Sequence, residues 1–323
     1  MKVSLIIPVY FNQDNLYPLY EDIVNKLYPH KGIEWEIVMV NDGSQDNSYQ
    51  VMKDLASRDS RIKAISLSRN FGSHSAILCG LAESTGDCAV VKAADQQEPT
   101  EIVLDMVRLW QDGCNVVIAE RADREESSRQ TLFANFYYWL VRKTSLPTMP
   151  KGGFDVYLVD RKVINVLTML DETNSALTGQ VLWSGFKTGH VSYTRKAREI
   201  GESKWTLRKK IRLVMDTLFS FSSVPISAVI GTGVIAMLVA IVWAIFVFIS
   251  KITGGIEISG FTTMFIVQIL SFGIIMITLG ILGEYLWRTF DASRGRPPYI
   301  IEDRYLADSS ECADNENLDE RNQ

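Results

Sequence analysis

The chain has 323 residues, 47% of them hydrophobic, with 33 basic and 38 acidic side chains giving a formal charge of −5. That length suits one large domain, or one domain with an appendage, and the acidic balance points away from a nucleic-acid partner. Cys79, Cys88, Cys114 and Cys312 form no CxxC pair and the three histidines are far apart in sequence, which argues against a disulfide framework or a zinc site.

From the first residues onward, short apolar runs alternate with amphipathic stretches. Strands are predicted over residues 3–9, 36–40, 62–67, 89–93 and 116–119, and helices over 16–28, 48–58, 73–84, 101–111 and 130–143. Because the strand at 3–9 begins at once, no leader is expected ahead of it. Strand–helix alternation with continuous β-branched runs predicts an α/β fold, a mostly parallel sheet covered on both faces. Ligands of such sheets bind beyond the carboxyl ends of the strands, where Asp42, Arg69 with Asn70, Asp95 and Arg121 fall. Neither GxGxxG nor GxxxxGK[ST] occurs, so the dinucleotide and P-loop readings fail.

Between residues 152 and 203 the pattern is mixed, with strands predicted at 154–159 and 191–194 and a helix at 163–170. Over 206–222, Leu207, Ile211, Val214, Leu218 and Phe221 recur at helical spacing beside a basic face. Such a helix either lies in a membrane interface with its lysines towards anionic headgroups, or is an ordinary amphipathic core helix. Its place just before an apolar run favours the interface. Residues 226–249 and 262–283 carry no charge, and each run exceeds the roughly 20 apolar residues that cross a bilayer as a helix. Lys204, Arg208, Lys209, Lys210 and Arg212 precede the first run, and Arg288, Arg294 and Arg296 follow the second. The positive-inside rule therefore predicts a hairpin with the N-terminal part and the tail both cytoplasmic. From residue 307 the chain is acidic and polar, and disorder is expected there.

Asp95 follows a strand and Gln97 offers a carbonyl oxygen two residues on. Oxygen ligands suit Mg²⁺ or Mn²⁺ held to a diphosphate, since Mg²⁺ needs only one or two protein ligands when phosphates supply others. An Asp after a strand is also a common turn or cap residue, and Asn41–Ser44 is equally satisfied as an Asp-Gly turn. Both readings stay open on the residues alone.

The motifs form an ordered set. Ile6-Ile7-Pro8-Val9-Tyr10, Val40-Asn41-Asp42-Gly43-Ser44-Gln45-Asp46, Ser68-Arg69-Asn70-Phe71-Gly72 and Asp95-Gln96-Gln97-Glu98-Pro99 are followed by the Asp155 to Arg161 stretch, Gly201-Glu202-Ser203-Lys204-Trp205, Leu282-Gly283-Glu284-Tyr285 and Gly295-Arg296-Pro297-Pro298-Tyr299. Over residues 2 to 303 this set resembles the family 2 glycosyltransferases. Within them it is most similar to the polyprenyl-phosphate glycosyltransferases, the group of dolichyl-phosphate mannose synthases and bactoprenol glucosyltransferases.

The resemblance implies a cytoplasmic GT-A nucleotide-sugar-binding domain at 1–205 and a juxtamembrane amphipathic helix at 206–225. It further implies a transmembrane hairpin at 226–286 (spans 226–249 and 262–286) and a cytoplasmic tail at 287–323. The nucleotide sugar would be bound by Pro8, Val9, Tyr10, Asn12, Asp42, Arg69, Ala94 and Asp95, and Mg²⁺ or Mn²⁺ by Asp95 and Gln97. Asp95 and Asp155 would be the catalytic carboxylates, and Arg121, Arg129, Arg195, Arg198, Ser203 and Lys204 the acceptor and diphosphate ligands. Each of these cations read alone is equally a solvated surface charge. Two positions depart from the family pattern. Ala93 stands where the first Asp of Asp-x-Asp is common, and Phe11-Asn12 where Asn-Glu is common.

The implied reaction is inverting transfer of a hexose-type sugar, with UDP-glucose as the donor, to undecaprenyl or another polyprenyl phosphate at the inner (cytoplasmic) membrane. The implied partners are that lipid, the nucleotide sugar, the membrane, a flippase and further copies of the chain, up to a tetramer. Two other readings remain. A processive polysaccharide synthase would carry Gln-x-x-Arg-Trp, and Gln180-Val181-Leu182-Trp183 lacks the Arg. A catalytically weakened membrane scaffold draws its support from Ala93.

Overall fold

The β-branched runs pair into one sheet in the computed structural model of the chain, which describes residues 1–121, 138–139, 141–150, 152–170, 176–194, 219–222, 224–253 and 260–306. Its strands are β1 (Lys2–Val9), β2 (Glu34–Asn41), β3 (Ile62–Leu67), β4 (Cys88–Val91), β5 (Val116–Arg121), β6 (Tyr157–Asp160), β7 (Thr188–Tyr193) and β8 (Ile301–Leu306), in the order β7-β5-β6-β4-β1-β2-β3-β8. The pairings make β6 and β8 antiparallel to their neighbours, while the other strands run one way. Side chains alternate across the pleat. Leu5, Ile7, Ile37, Met39 and Val90 therefore meet α1 (Gln13–Lys26), α2 (Ser48–Arg58) and α4 (Ile102–Gln111) on one face. Ile6, Val38, Val40, Ala89 and Val91 meet α3 (Ser73–Glu83) and α5 (Arg161–Met169) on the other. The mostly parallel, two-faced sheet expected from the sequence is what forms.

Several boundaries differ from expectation. β4 stops at Val91 rather than 93, because after Lys92 donates its main-chain N–H to the Ile6 carbonyl (3.0 Å) the chain turns out of the sheet. α5 starts two residues earlier than predicted because Asp160 caps it, accepting from the Lys162 N–H at 2.9 Å. β6 begins at Tyr157 rather than 154. A helix, α6 (Leu177–Trp183), lies in a stretch whose pattern looked irregular. Most of the helices expected at 130–143 and 206–222 falls outside the described residues, as does the segment from 307.

The largest departure is β8. The tail after the second apolar run is not merely an appendage, since residues 301–306 return to the sheet and pair antiparallel with β3, with Ala64 opposite Tyr305 and Ser66 opposite Asp303. Tyr305 packs on one core face, Tyr299 and Ile301 on the other, and Arg304 bridges to Glu83 at 2.7 Å. An open β3 edge would otherwise present unpaired main-chain groups.

Between β7 and β8 run α7 (Val224–Ile252) and α8 (Phe261–Ser293), two helices long and apolar enough to cross a membrane, with stretches of 20 and 27 residues that qualify. At about 1.5 Å per residue each helix exceeds a hydrocarbon core of roughly 30 Å. The segment just before α7 is wedged between the sheet domain and α8. Gly179 of α6 leaves room for the Phe221 ring, which a Cβ there would strike. Phe219 meets Tyr285 edge-on at 5.2 Å and lies 5.3 Å beneath Arg288, which Glu284 holds at 2.9 Å.

The amino ends of the strands carry a buried charge. Burial alone would raise the Glu36 carboxyl, but hydrogen bonds from Lys63 (2.8 Å), Ser4 and both donors of Thr85 (2.8 and 2.7 Å) outweigh it and hold it at about 2. A carboxyl lowered by folding contributes stability that is complete above its ordinary value and lost as pH falls towards the folded value. The Glu36 contribution is therefore expected to disappear between about pH 4.5 and about 2. Glu36→Gln is expected to cost about 2 kcal/mol at neutral pH and to flatten the acid limb of the stability profile, read by denaturant melts across that range.

Candidate active site

The carboxyl ends of five strands, β1 to β5, build the site. β1 and β2 end level, Val9 opposite Asn41, and the Asp42 N–H donates to the Val9 carbonyl at 2.9 Å. Asp42 is 3% exposed, and its carboxylate accepts from the main-chain N–H groups of Phe71 (2.7 Å) and Gly72 (3.0 Å) at the start of α3. Gly43, with φ 65°, lies against the Arg69–Asn70 main chain so closely that a Cβ would collide with it. These contacts clamp the β2–α2 connection onto the β3–α3 connection. Asn41 extends the clamp, donating to Ser66 Oγ and accepting from the Ser44 N–H, both at 3.1 Å.

The β1–α1 connection is tied to the same unit. Ser44 Oγ accepts from the Phe11 N–H and Ser48 Oγ from the Asn12 N–H, each at 3.0 Å, and Gln13 accepts from the Asn47 N–H at 2.9 Å. Phe11 adopts φ 54°, a left-handed conformation uncommon outside glycine. The ring of Tyr10 meets Phe11 edge-on at 4.7 Å. Arg69 is exposed with its guanidinium 4.0 Å above the Phe71 ring. Pro8, Tyr10, Asp42 and Arg69 are thus brought to one rim.

Three expected nucleotide contacts are placed differently. Val9 is fully buried in the core, and Ala94 is buried beside it in the same cluster. Only their main chains can face a ligand, because the pleat turns Val9 inward and the loop after β4 buries Ala94 in the same core. The Asn12 amide is engaged inside its own loop, donating to the Tyr10 carbonyl at 3.0 Å and accepting from Asn15 at 3.1 Å.

After β4 the chain forms a tight loop. Gln96 is a second left-handed non-glycine, at φ 55°. Asp95 is half-buried, and its Oδ1 takes a long hydrogen bond of 3.4 Å from the Gln97 N–H. Among the described residues no three His, Cys, Asp or Glu side chains gather as a metal site. One carboxylate and one amide suit a hard cation that brings phosphate oxygens with it, rather than a protein-only cage. Beneath the loop lies Lys92, 1% exposed, whose Nζ donates to the Glu98 main-chain carbonyl at 2.6 Å. Burial pushes its ammonium down, and the Glu98, Asp22 and Asp95 carboxylates act in the opposite direction. Sequence reasoning passed over Lys92; the signal was a lone charge directly after an apolar run.

At the end of β5, Arg121, expected as an acceptor or diphosphate ligand, pairs with Asp155, expected as a catalytic carboxylate. The Arg121 side chain is 17% exposed and that of Asp155 60%, and the Tyr193 hydroxyl stands 3.4 Å from Arg121 Nε. Burial disfavours the Arg121 charge, but Asp155 and Tyr193 outweigh it and the guanidinium is held cationic. Beside the pair opens a cavity of about 520 Å³ lined by Glu120, Arg121, Met149, Pro150, Gly152 and Gly153. Gly153, at φ 65°, leaves space occupied by the Tyr138 ring. Arg129, Arg195, Arg198, Ser203 and Lys204 lie outside the described residues.

Residues 4–164 match the model of Glycosyl transferase family 2. The prophage bactoprenol glucosyl transferase homolog of Escherichia coli K12 is 32% identical over 303 residues, spanning 94% of this chain and 99% of that protein. The chain belongs to glycosyl transferase family 2. The bactoprenol glucosyl transferase of Shigella phage SfX is likewise 32% identical, over 94% of this chain and all of that one (100%). Among solved structures, glucosyl-3-phosphoglycerate synthase from Mycobacterium tuberculosis is similar at TM-score 0.46 and 15% identity, over 68% of this chain and 79% of that one. The rim of strand ends in this family 2 glycosyltransferase is where a mostly parallel sheet of this kind receives its ligand.

The clamp of the family 2 domain is open to test. Gly43→Ala is expected to lose about 3 kcal/mol, from the left-handed backbone and from the clash with Arg69–Asn70. An unchanged denaturation midpoint would show that these two connections are not in contact in solution.

Proposed function

We propose that this glycosyltransferase moves a hexose-type sugar, with UDP-glucose as the donor, onto a polyprenyl phosphate such as undecaprenyl phosphate at the cytoplasmic face of a bilayer, with inversion at the anomeric carbon. The observation that carries the reading is one rim with two chemically distinct halves. Asp42, Arg69 and Asp95 stand over β1–β4, and the Arg121–Asp155 pair stands at a cavity over β5. Relatives of nearly the same length, named bactoprenol glucosyl transferases, support the choice of lipid and sugar.

Tyr10, Pro8 and the clamped Asp42 loop frame the nucleoside, with Arg69 towards the phosphates. When bound, a divalent cation at Asp95 and Gln97 supplies charge neutralisation for the departing diphosphate. An acceptor phosphate oxygen forms the bond to the anomeric carbon from the side opposite the diphosphate, whose bond to that carbon breaks with its electron pair. That oxygen is already ionised near neutral pH, so no strong general base is needed. Asp155 accordingly acts by orienting Arg121, whose planar donor fork matches phosphate oxygens. In the proposal Arg129, Arg195, Arg198 and Lys204 supply further positive charge to the phosphates, and Ser203 a hydroxyl donor.

The hairpin of α7 and α8 keeps the domain beside its water-insoluble acceptor, with basic flanks on the cytoplasmic side and both termini there. A sugar phosphate headgroup does not cross a bilayer unaided, so use of the product on the far side requires a flippase.

The test is lipid-linked sugar formation, read by mass spectrometry, from detergent-purified protein, undecaprenyl phosphate, Mg²⁺ or Mn²⁺ and a panel of nucleotide sugars. Product from one donor, lost with chelator, is expected; no product from any donor would favour the scaffold reading. Asp95→Ala is expected to lower kcat by about 10²–10³-fold. Arg121→Ala is expected to raise the acceptor KM by roughly tenfold while leaving the donor KM in place, and an unchanged acceptor KM would remove Arg121 from the acceptor site.

A further inference from the structure

Lysine is almost never fully buried unless paired, and Lys92 is buried at the end of a central strand. Its two nitrogens act at two levels. The main-chain N–H continues the ladder to Ile6 at 3.0 Å, anchoring the residue to β1. The Nζ reaches forward six residues to the Glu98 carbonyl at 2.6 Å, so one charge-assisted hydrogen bond closes the loop that holds Asp95, Gln96 and Gln97. Inside that loop Gln96 sits in the left-handed region, which costs a non-glycine residue about 1–2 kcal/mol and persists only when the surroundings enforce it.

The far side of the loop is tied down as well. Asp22 of α1 holds Lys26 at 2.6 Å, and Lys26 reaches Glu101, just before α4, at 2.9 Å. Ala93 leaves the loop with one carboxylate ahead of Gln97. A loop with a single carboxylate gains little shape from a cation, so its shape has to come from the protein.

We propose that Lys92 is a positioning residue for sugar transfer: its buried ammonium staples the Ala93–Gln97 loop and sets Asp95 and Gln97 in receiving geometry before the nucleotide arrives. The proposal rests on the sugar-transfer reading and goes beyond it, assigning a role to a side chain that substrate does not touch.

The experiment uses the full chain in detergent with Lys92→Met, and with Lys92→Met combined with Gln96→Gly. UDP and GDP, each with Mn²⁺, are titrated calorimetrically. Hydrogen exchange is followed for peptides covering 93–98 and β1, and donor and acceptor KM are measured. Lys92→Met is expected to weaken nucleotide–Mn²⁺ affinity by about tenfold or more, the scale of a lost hydrogen bond to a charge. It is also expected to raise the donor KM with the acceptor KM unchanged, and to speed exchange in 93–98 while β1 keeps its protection. Glycine enters the left-handed region freely, so the added Gln96→Gly is expected to restore part of the affinity. A pure core role would not produce that rescue.

Unchanged affinity and exchange in Lys92→Met would overturn the proposal. So would a rise of both KM values together with exchange spreading into β1. If the methionine variant does not fold, Lys92→Gln, whose amide can still donate to the Glu98 carbonyl, is read instead: affinity and 93–98 exchange close to wild type support the staple, and weakened affinity with 93–98 exchange unchanged overturns it. A wild-type chain that binds neither nucleotide sinks the sugar-transfer reading and the Lys92 role with it, whereas wild-type binding with an indifferent variant sinks the Lys92 role alone.

Discussion

The register of β1 against its two parallel neighbours is the constraint on which everything else depends. Ile6 lies opposite Val91 on one side and Val38 on the other, and Val9 lies opposite Asn41. A slip of one residue would turn every side chain to the other face of the pleat, exchanging Ile6 with Leu5 and Ile7 between two separate cores. It would also carry the Tyr10–Asn12 turn out of reach of Ser44 and Ser48, and Lys92 out of its bond to Ile6. Core packing and site geometry are thus fixed by one alignment, and both apolar faces oppose any error in it.

Charge is placed at the two ends of the sheet in different ways. At the amino ends, Glu36 is satisfied by Lys63, Ser4 and Thr85, and there it joins β1, β2, β3 and the turn before β4. At the carboxyl ends, charges serve the loops: Asp42 holds main-chain N–H groups of the β3–α3 connection, Lys92 holds a carbonyl, and Arg121 is held by Asp155. A main-chain partner has little freedom to move away, so Asp42 and Lys92 each tie a loop to the sheet through the loop's own backbone. The Arg121–Asp155 pair has a half-open carboxylate and a cavity beside it, and an anionic ligand can compete for its guanidinium. The rim is therefore held by main-chain contacts over β2–β4 and by a half-open ion pair over β5.

The two apolar helices are inserted between strands of one sheet rather than appended after it. The chain leaves the sheet after β7, passes through α7 and α8, and comes back to complete the sheet at β8. Contacts of Phe221 with Gly179, and of Phe219 with Tyr285 and Arg288, close the same circuit at the base of the helices. A helix pair fixed at both chain ends has less freedom to pivot than one on a single linker.

The amino-acid sequence by itself determined the alternating α/β pattern, the two long apolar helices and the ordered motifs, because these rest on local periodicity and on residues adjacent in the chain. Asp42, Arg69, Asp95 and Arg121 were legible at strand ends for the same reason. The partners of those residues were not. That Asp42 binds the Phe71 and Gly72 main chain, that Arg121 meets Asp155, and that Val9 and Ala94 turn inward follow from which strands become neighbours and in what register. β8 escaped because Ile301–Leu306 is mostly exposed and polar, and it is a strand only because the β3 edge offers it a ladder. Lys92 escaped because a lysine after an apolar run reads as a surface residue until the fold buries it beneath its own loop. Local pattern chose the elements; pairing across distant parts of the chain decided what each charge would touch.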